Sequence, residues 1–252
     1  MNENMEQNND GMESWQDTPY VSRFTAETVK ELAEPDLISR VATKSFTMVF
    51  LGLIVTTIAS YLTLSNVDFL YYLITGDMFT VLLVAELVIV LINGWAIRKD
   101  YLPLAGVMYF VYSVSNGITM SVVFLAYGLG TAREAFLMAA VIFGAMAAYG
   151  YFTKKDLSTM GSVCGMALLG ILLVTLLNTF FLHSEGLDLV MDYIVILLFV
   201  GITAYDMYRM KQMVLEGGAE EENRIAMFTG MQLYLDFINI FLRLIRIMGK
   251  KK

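Results

Sequence analysis

Residues 225–250 read IAMFTGMQLYLDFINIFLRLIRIMGK and run into two further lysines at 251 and 252. The stretch is long enough to cross a bilayer core, which takes roughly 20 apolar residues. It nevertheless carries Asp236, Arg243 and Arg246. Charged side chains at membrane depth are costly against lipid and are found facing a protein interior or a water-filled path. A helix of this composition therefore needs shielding by other helices, and the rest of the chain must supply them.

It does so in six blocks, at about 46–65, 78–97, 102–126, 134–152, 158–182 and 187–206. In hydrocarbon the backbone has no water to bond, so continuous apolar blocks of this length are helices, and barrel strands would alternate instead. Composition agrees: 57% of the 252 residues are hydrophobic and 16% charged, where about a quarter charged is usual for a soluble domain. Short loops with Lys and Arg alternate with loops almost without them. Arg40 and Lys44 precede the first block, Arg98 and Lys99 follow the second, Lys154 and Lys155 the fourth, and Arg209 and Lys211 the sixth. By the positive-inside rule the N-terminus is cytoplasmic. The last block breaks the alternation: its lysines lie outside if it spans and inside if it is re-entrant.

Residues 1–45 carry nine acids and four bases. About the first 35 to 40 read as a disordered acidic cytoplasmic tail, followed by a transmembrane domain over 44–250. No basic stretch followed by an apolar one marks a cleaved signal. The single cysteine, Cys164, excludes an intramolecular disulfide and reads as a small core residue. The single histidine, His183, sits in a polar loop, and the pair offers neither a zinc site nor a Cys-His centre. Gly161 and Gly165, and Gly144 to Gly150 in GAMAAYG, read as close-packing positions.

Four ionisable residues call for a reason. Glu86 is near the middle of the second block, Asp206 at the end of the sixth, Asp236 inside the last, and Arg98 at the end of the second. Asp206 has a plain explanation as a helix-end residue or a partner of Arg209 one turn on, and Arg98 as an interfacial anchor. Asp192, near the start of the sixth block, reads as interfacial. Two carboxylates brought together in a dry site do not both ionise; they share a proton and titrate as a unit. Deprotonated, the same oxygens are hard ligands suited to calcium. The sequence alone does not bring Asp206 to Asp236.

The run from Glu86 to Arg98, SNGIT (115–119), FTKKDLSTM (152–160), AYDMYRMKQM (204–213) and LYLDFINIFLRLIR (233–246) together resemble the Bax inhibitor family. The likeness covers about 44 to 248. It implies an all-α, polytopic seven-helix bundle with the C-terminal helix central and surrounded by six. It also implies a pH-sensitive calcium-leak channel of the cell membrane. On this resemblance Asp206 and Asp236 are the pH-sensing pair and a possible calcium site, with Glu86 a weaker one. Glu86 is the pore acid and Arg98 the latch that pairs with the two aspartates. Counted without a gap from Glu86 and Trp95, the latch position falls on Ile97, one residue early. The acidic run EGGAEEEN (216–223) reads as a lengthened loop before the last helix. The implied partners are the lipid membrane and calcium as the transported ion, with no tightly bound cofactor and no nucleic acid. Two other readings stand beside it. One is a regulator that binds a membrane protease, with the acidic tail as contact. The other is an intramembrane aspartyl protease, which the missing glycines before Asp236 and the lack of proline after Pro103 oppose.

Overall fold

The computed structural model describes residues 26–178, 181 and 184–249. The first 25 residues of the acidic tail, His183 and the three terminal lysines lie outside the described residues. Among the described residues eight α-helices follow one another: α1 (Ala26–Ser65), α2 (Val67–Thr75), α3 (Met78–Arg98), α4 (Leu102–Tyr127), α5 (Leu129–Phe152), α6 (Ser158–Leu177), α7 (Glu185–Gly217) and α8 (Glu222–Gly249). Seven of them are long and apolar enough to cross a membrane.

Several bounds differ from the sequence expectation for local reasons. Helix α1 already includes Ala26, the first described residue and inside the stretch read as tail, and keeps Pro35 within it. The short α2 is capped by Asn66, whose side chain accepts from the Phe69 amide at 3.0 Å. It buries Leu70 and Leu73 and exposes Val67, Tyr71 and Tyr72, the two-sided pattern of a helix lying along a membrane interface. Helix α7 runs eleven residues beyond the expected end at Asp206, absorbing most of the polar run that follows. The acidic insert is consequently not a long loop. Gly218 turns the chain at φ +63°, Ala219–Glu221 form one 3-10 turn, and α8 starts at Glu222.

Helix α8 is the most buried of the spans and packs on α1, α4, α5 and α7, with a lighter contact to α3. Leu233, Tyr234, Ile240 and Ile245 on it are fully buried. α6 packs on α7 instead. Near the start of α8, Ser45 of α1 donates to the Ala226 carbonyl at 3.2 Å, and Lys44 reaches Glu222 and Asn223, each at 2.7 Å. Its far end stands beside the Tyr127 ring at the end of α4. At 1.5 Å per residue, 28 residues extend about 42 Å, more than the roughly 30 Å hydrocarbon core. α8 thus runs from the Lys44 face to the Tyr127 face as one unbroken helix, long enough to span.

Candidate functional site: two polar centres on either side of α8

Successive residues on an α-helix turn by about 100°, so Tyr234 and Asp236 point to nearly opposite sides of α8. Each meets a separate buried polar centre.

On one side, Tyr234 is fully buried among α1 and α4. Its hydroxyl lies 2.6 Å from Thr56 Oγ1 and donates to Asn116 Oδ1 at 3.3 Å. Thr56 also donates to the Ser113 carbonyl at 3.0 Å. Close by, Glu86 of α3 is buried and accepts from Thr119 Oγ1 at 2.6 Å. Asn116 and Ser115 of α4 are buried near the same carboxylate, and Ser115 Oγ has no hydrogen-bond partner among the described residues. The SNGIT stretch therefore sits here as the hydroxyl- and amide-bearing face of α4 turned toward Glu86. Tyr109 and Tyr112 pack edge-on against the Tyr234 ring, 5.6 and 5.8 Å between centroids.

On the other side, Asp236 is 3% exposed and faces α7, where Thr203 and Asp206 lie one turn apart on a common face. Asp206 is 5% exposed, and the two aspartates stand close enough for their charges to act on each other. One carboxylate oxygen of each is buried with no hydrogen-bond partner among the described residues. Met207 and Met210, further along α7, are fully buried in the apolar core. Asp206 does not mark a helix end; about 16 Å of helix follows it.

Arg98 is placed differently from the latch expectation. As the last residue of α3 it is exposed and makes no ion pair with either aspartate among the described residues. The residue turned inward at that point is Ile97, buried with Ala96 and Ala105 against Met227 and Phe228. The cation whose charge reaches Asp206 is Arg209, one turn along α7, and its guanidinium lies over the Phe228 ring at 5.0 Å. Arg98 and Arg209 instead share the wall of a cavity of about 490 Å³ on the Lys44 face, with Glu216, Glu221 and Arg224.

Sequence reasoning missed one further charged centre. Asp192 is fully buried within the protein, and Arg243 Nη1 donates to it at 2.9 Å while Arg246 Nε stands 3.4 Å away. Two arginines in an apolar helix require a carboxylate, and that demand was the available signal. Outside the spans, Asp156 accepts from the Ser158 amide at 2.8 Å and from Tyr208 at 3.0 Å. These bonds with Ser158 and Tyr208 hold its carboxyl below the usual carboxylate range. Among the described residues, no three His, Cys, Asp or Glu side chains gather as a metal cage. Glu86 and the aspartate pair are separated by α8 and do not form one ligand set.

The chain matches the family described as "Inhibitor of apoptosis-promoting Bax1" over residues 38–252. It is 35% identical over 205 residues to the inner membrane protein YbhL of Escherichia coli K12, covering 80% of this chain and 87% of that protein. It is 32% identical over 212 residues to an uncharacterised protein of Borreliella burgdorferi, covering 83% and 91%. A protein of Rickettsia prowazekii is 33% identical over 211 residues, covering 83% and 89%. The chain belongs to the Bax inhibitor family and is an integral membrane protein of the YbhL type.

Proposed function

We propose that this member of the Bax inhibitor family is a proton-sensitive calcium-leak channel of the cell membrane, with its N-terminus and Lys44 face in the cytoplasm. The observation that carries the reading is the pairing of Asp206 and Asp236 between α7 and α8, both buried, each with an oxygen left without a partner. Two such carboxylates in a low-dielectric site share one proton, and losing it leaves adjacent negative charges that strain the interface. Movement of α8 relative to α7 relieves that repulsion. Because Tyr234 is on the same helix, the movement also shifts the hydroxyl cluster around Glu86.

Calcium enters as cargo. It takes six to eight oxygen ligands, and two carboxylates alone supply too few, which suits transit with retained water more than a resident ion. The Glu86 centre, with oxygens from Thr119, Asn116 and Ser115, is the second station of that path. Arg209 takes the role that the family resemblance gives to Arg98, since its charge reaches Asp206.

Proteoliposomes loaded with a calcium-sensitive dye test the proposal between about pH 6 and 8, where a proton-sharing carboxylate pair is expected to respond. Wild-type flux should change with pH, and Asp206→Asn or Asp236→Asn should flatten that dependence. A pH profile unaltered by both substitutions would sink the reading.

A further inference from the structure

Helices α1 and α5 both pack on α8 but scarcely on each other, leaving a seam between them over α8. Phe46 of α1 and Phe143 of α5 close the seam midway, their rings T-shaped at 6.3 Å, with Phe143 seated on Phe237 of α8 at 5.6 Å. Between this closure and the Tyr127 face lies a groove of about 310 Å³. Phe237 and Phe241 form its floor, Phe124 and Phe136 its walls, and Ala132 leaves the space that a larger side chain would fill. Its one charged lining residue is Arg133, exposed in the first turns of α5 and without an ion pair among the described residues.

We propose that this groove holds one acyl chain of an anionic membrane phospholipid, with Arg133 engaging the phosphate. The groove opens sideways between spanning helices, so hydrocarbon and not water is the medium at its mouth. Arg133 stands at the membrane boundary, where a long stem lies along apolar surface while the guanidinium reaches the headgroup layer. Guanidinium and phosphate match as a two-point, charge-assisted pair. The size fits a single chain: 310 Å³ is at the small end of the roughly 300–1,000 Å³ usual for ligand pockets. From Leu129 to Phe136 the groove runs about 10 Å along α5, about a third of the hydrocarbon thickness. That length accommodates the part of a chain next to its headgroup. A zwitterionic lipid brings a phosphate too, but also a cation that Arg133 repels, so net negative charge is preferred. The chain abuts Phe237, the neighbour of Asp236 on α8. The proposal stands independently of the channel reading, because its test reads lipid and not flux.

Native mass spectrometry of the full chain, released from nanodiscs of equal phosphatidylglycerol and phosphatidylcholine, tests it. One basic residue near a membrane surface contributes on the order of 1 kcal/mol toward anionic lipid, so wild type should retain phosphatidylglycerol with about a fivefold preference. Arg133→Gln should lose the preference and Arg133→Lys should keep it. Leu129→Trp, at a groove residue 65% exposed and therefore tolerant of bulk, should block the mouth and lose retained lipid of both kinds. Lys154→Gln, a basic residue at the other end of α5, should behave as wild type. Photo-crosslinking with a diazirine-tailed phosphatidylglycerol should label residues of the groove and lose that label in Leu129→Trp. Preference surviving in Arg133→Gln overturns the proposal, as does retention or labelling unchanged by Leu129→Trp. Equal loss of preference in Lys154→Gln means annular lipid only, and equally overturns it.

Discussion

Arg243 of α8 donates to Asp192 of α7 at 2.9 Å, at the opposite end of the same helix pair that buries Asp206 against Asp236. The two contacts differ in balance. At Asp192 a single carboxylate has two guanidinium groups, Arg243 and Arg246, and the interface is held. At the aspartate pair two acids face each other with Thr203, and Arg209 acts only from the flank. One end of the α7–α8 contact is thus an anchor; on the channel reading, the other is the place where adding or removing a proton changes the sign of the interaction. This arrangement favours a hinge near Asp192 and displacement near Asp206.

Removing the anchor should cost stability. Breaking a buried ion pair by deleting one partner typically costs about 3–5 kcal/mol, because the remaining charge loses its compensation. Arg243 and Arg246 keep some exposure, 24% and 32%, so Asp192→Asn should fall at the lower end of that range. Thermal unfolding in detergent should show a clear drop in Tm. Arg246→Lys, which retains a cation at the longer contact, should lower Tm far less. An unchanged Tm for Asp192→Asn would mean the arginines are satisfied by solvent.

The two polar centres should separate functionally. Glu86→Gln preserves an acceptor for Thr119 and removes the charge, so on the channel reading it should lower calcium flux at every pH without moving the pH midpoint. Asp236→Asn should do the reverse, changing the pH dependence more than the maximal flux. Thr119→Val leaves the Glu86 oxygen without its donor and should destabilise by about 1–3 kcal/mol in detergent unfolding. Dye-flux titrations on the three variants, with Tm measured alongside, distinguish these outcomes.

Much of this was legible in the sequence and some was not, for reasons specific to residues. Six apolar blocks were marked firmly because bilayer thickness imposes length directly, and the last block, left open between a span and a re-entrant segment, is also a helix long and apolar enough to cross. Charges inside a span pointed to Glu86, Asp206 and Asp236 as buried, because lipid gives such residues no alternative. Helix ends were less readable. Residues 207–217 are polar enough to read as loop, yet they continue α7 with Lys211 donating to the Tyr151 and Thr153 carbonyls at 2.7 Å each. Near the end of α3 the ungapped count falls on Ile97, which is buried, whereas Arg98, one residue or about 100° further round the helix, is exposed. Asp192 misled because its partners are some 50 residues away, a distance over which no local pattern reports contact.

Asp156 gives a pH dependence outside the membrane. Its folded-state value is depressed below the ordinary 3.8 by the bonds from Ser158 and Tyr208. A depressed value means the bonds contribute fully above the unfolded value and are lost as pH falls through the folded one. The 153–157 loop should therefore stay protected above about pH 4 and loosen only in stronger acid. Asp156→Asn should show at neutral pH the faster amide exchange at Ser158 that wild type shows only in acid. Equal exchange in the two proteins would mean the loop is held by Lys211 alone.

The glycines of α5 give the sharpest packing test, because spacing makes them look alike and packing makes them different. A Cβ on Gly150 would collide with the backbone carbonyl of Ala204 on α7, whereas one on Gly144 meets nothing within 4 Å. Backbone cannot move aside as a side-chain tip can, so Gly150→Ala must push α5 from α7, at a cost of about 1–3 kcal/mol. Gly144→Ala adds only helix preference and should stabilise by up to about 1 kcal/mol. Ala204 lies two residues before Asp206, so the displacement reaches the aspartate pair as well. Gly150→Ala should therefore lower Tm in detergent and, on the channel reading, shift the pH midpoint of calcium flux, while Gly144→Ala changes neither adversely. If the two substitutions act alike, the close approach of α5 to Ala204 is not what sets the position of Asp206.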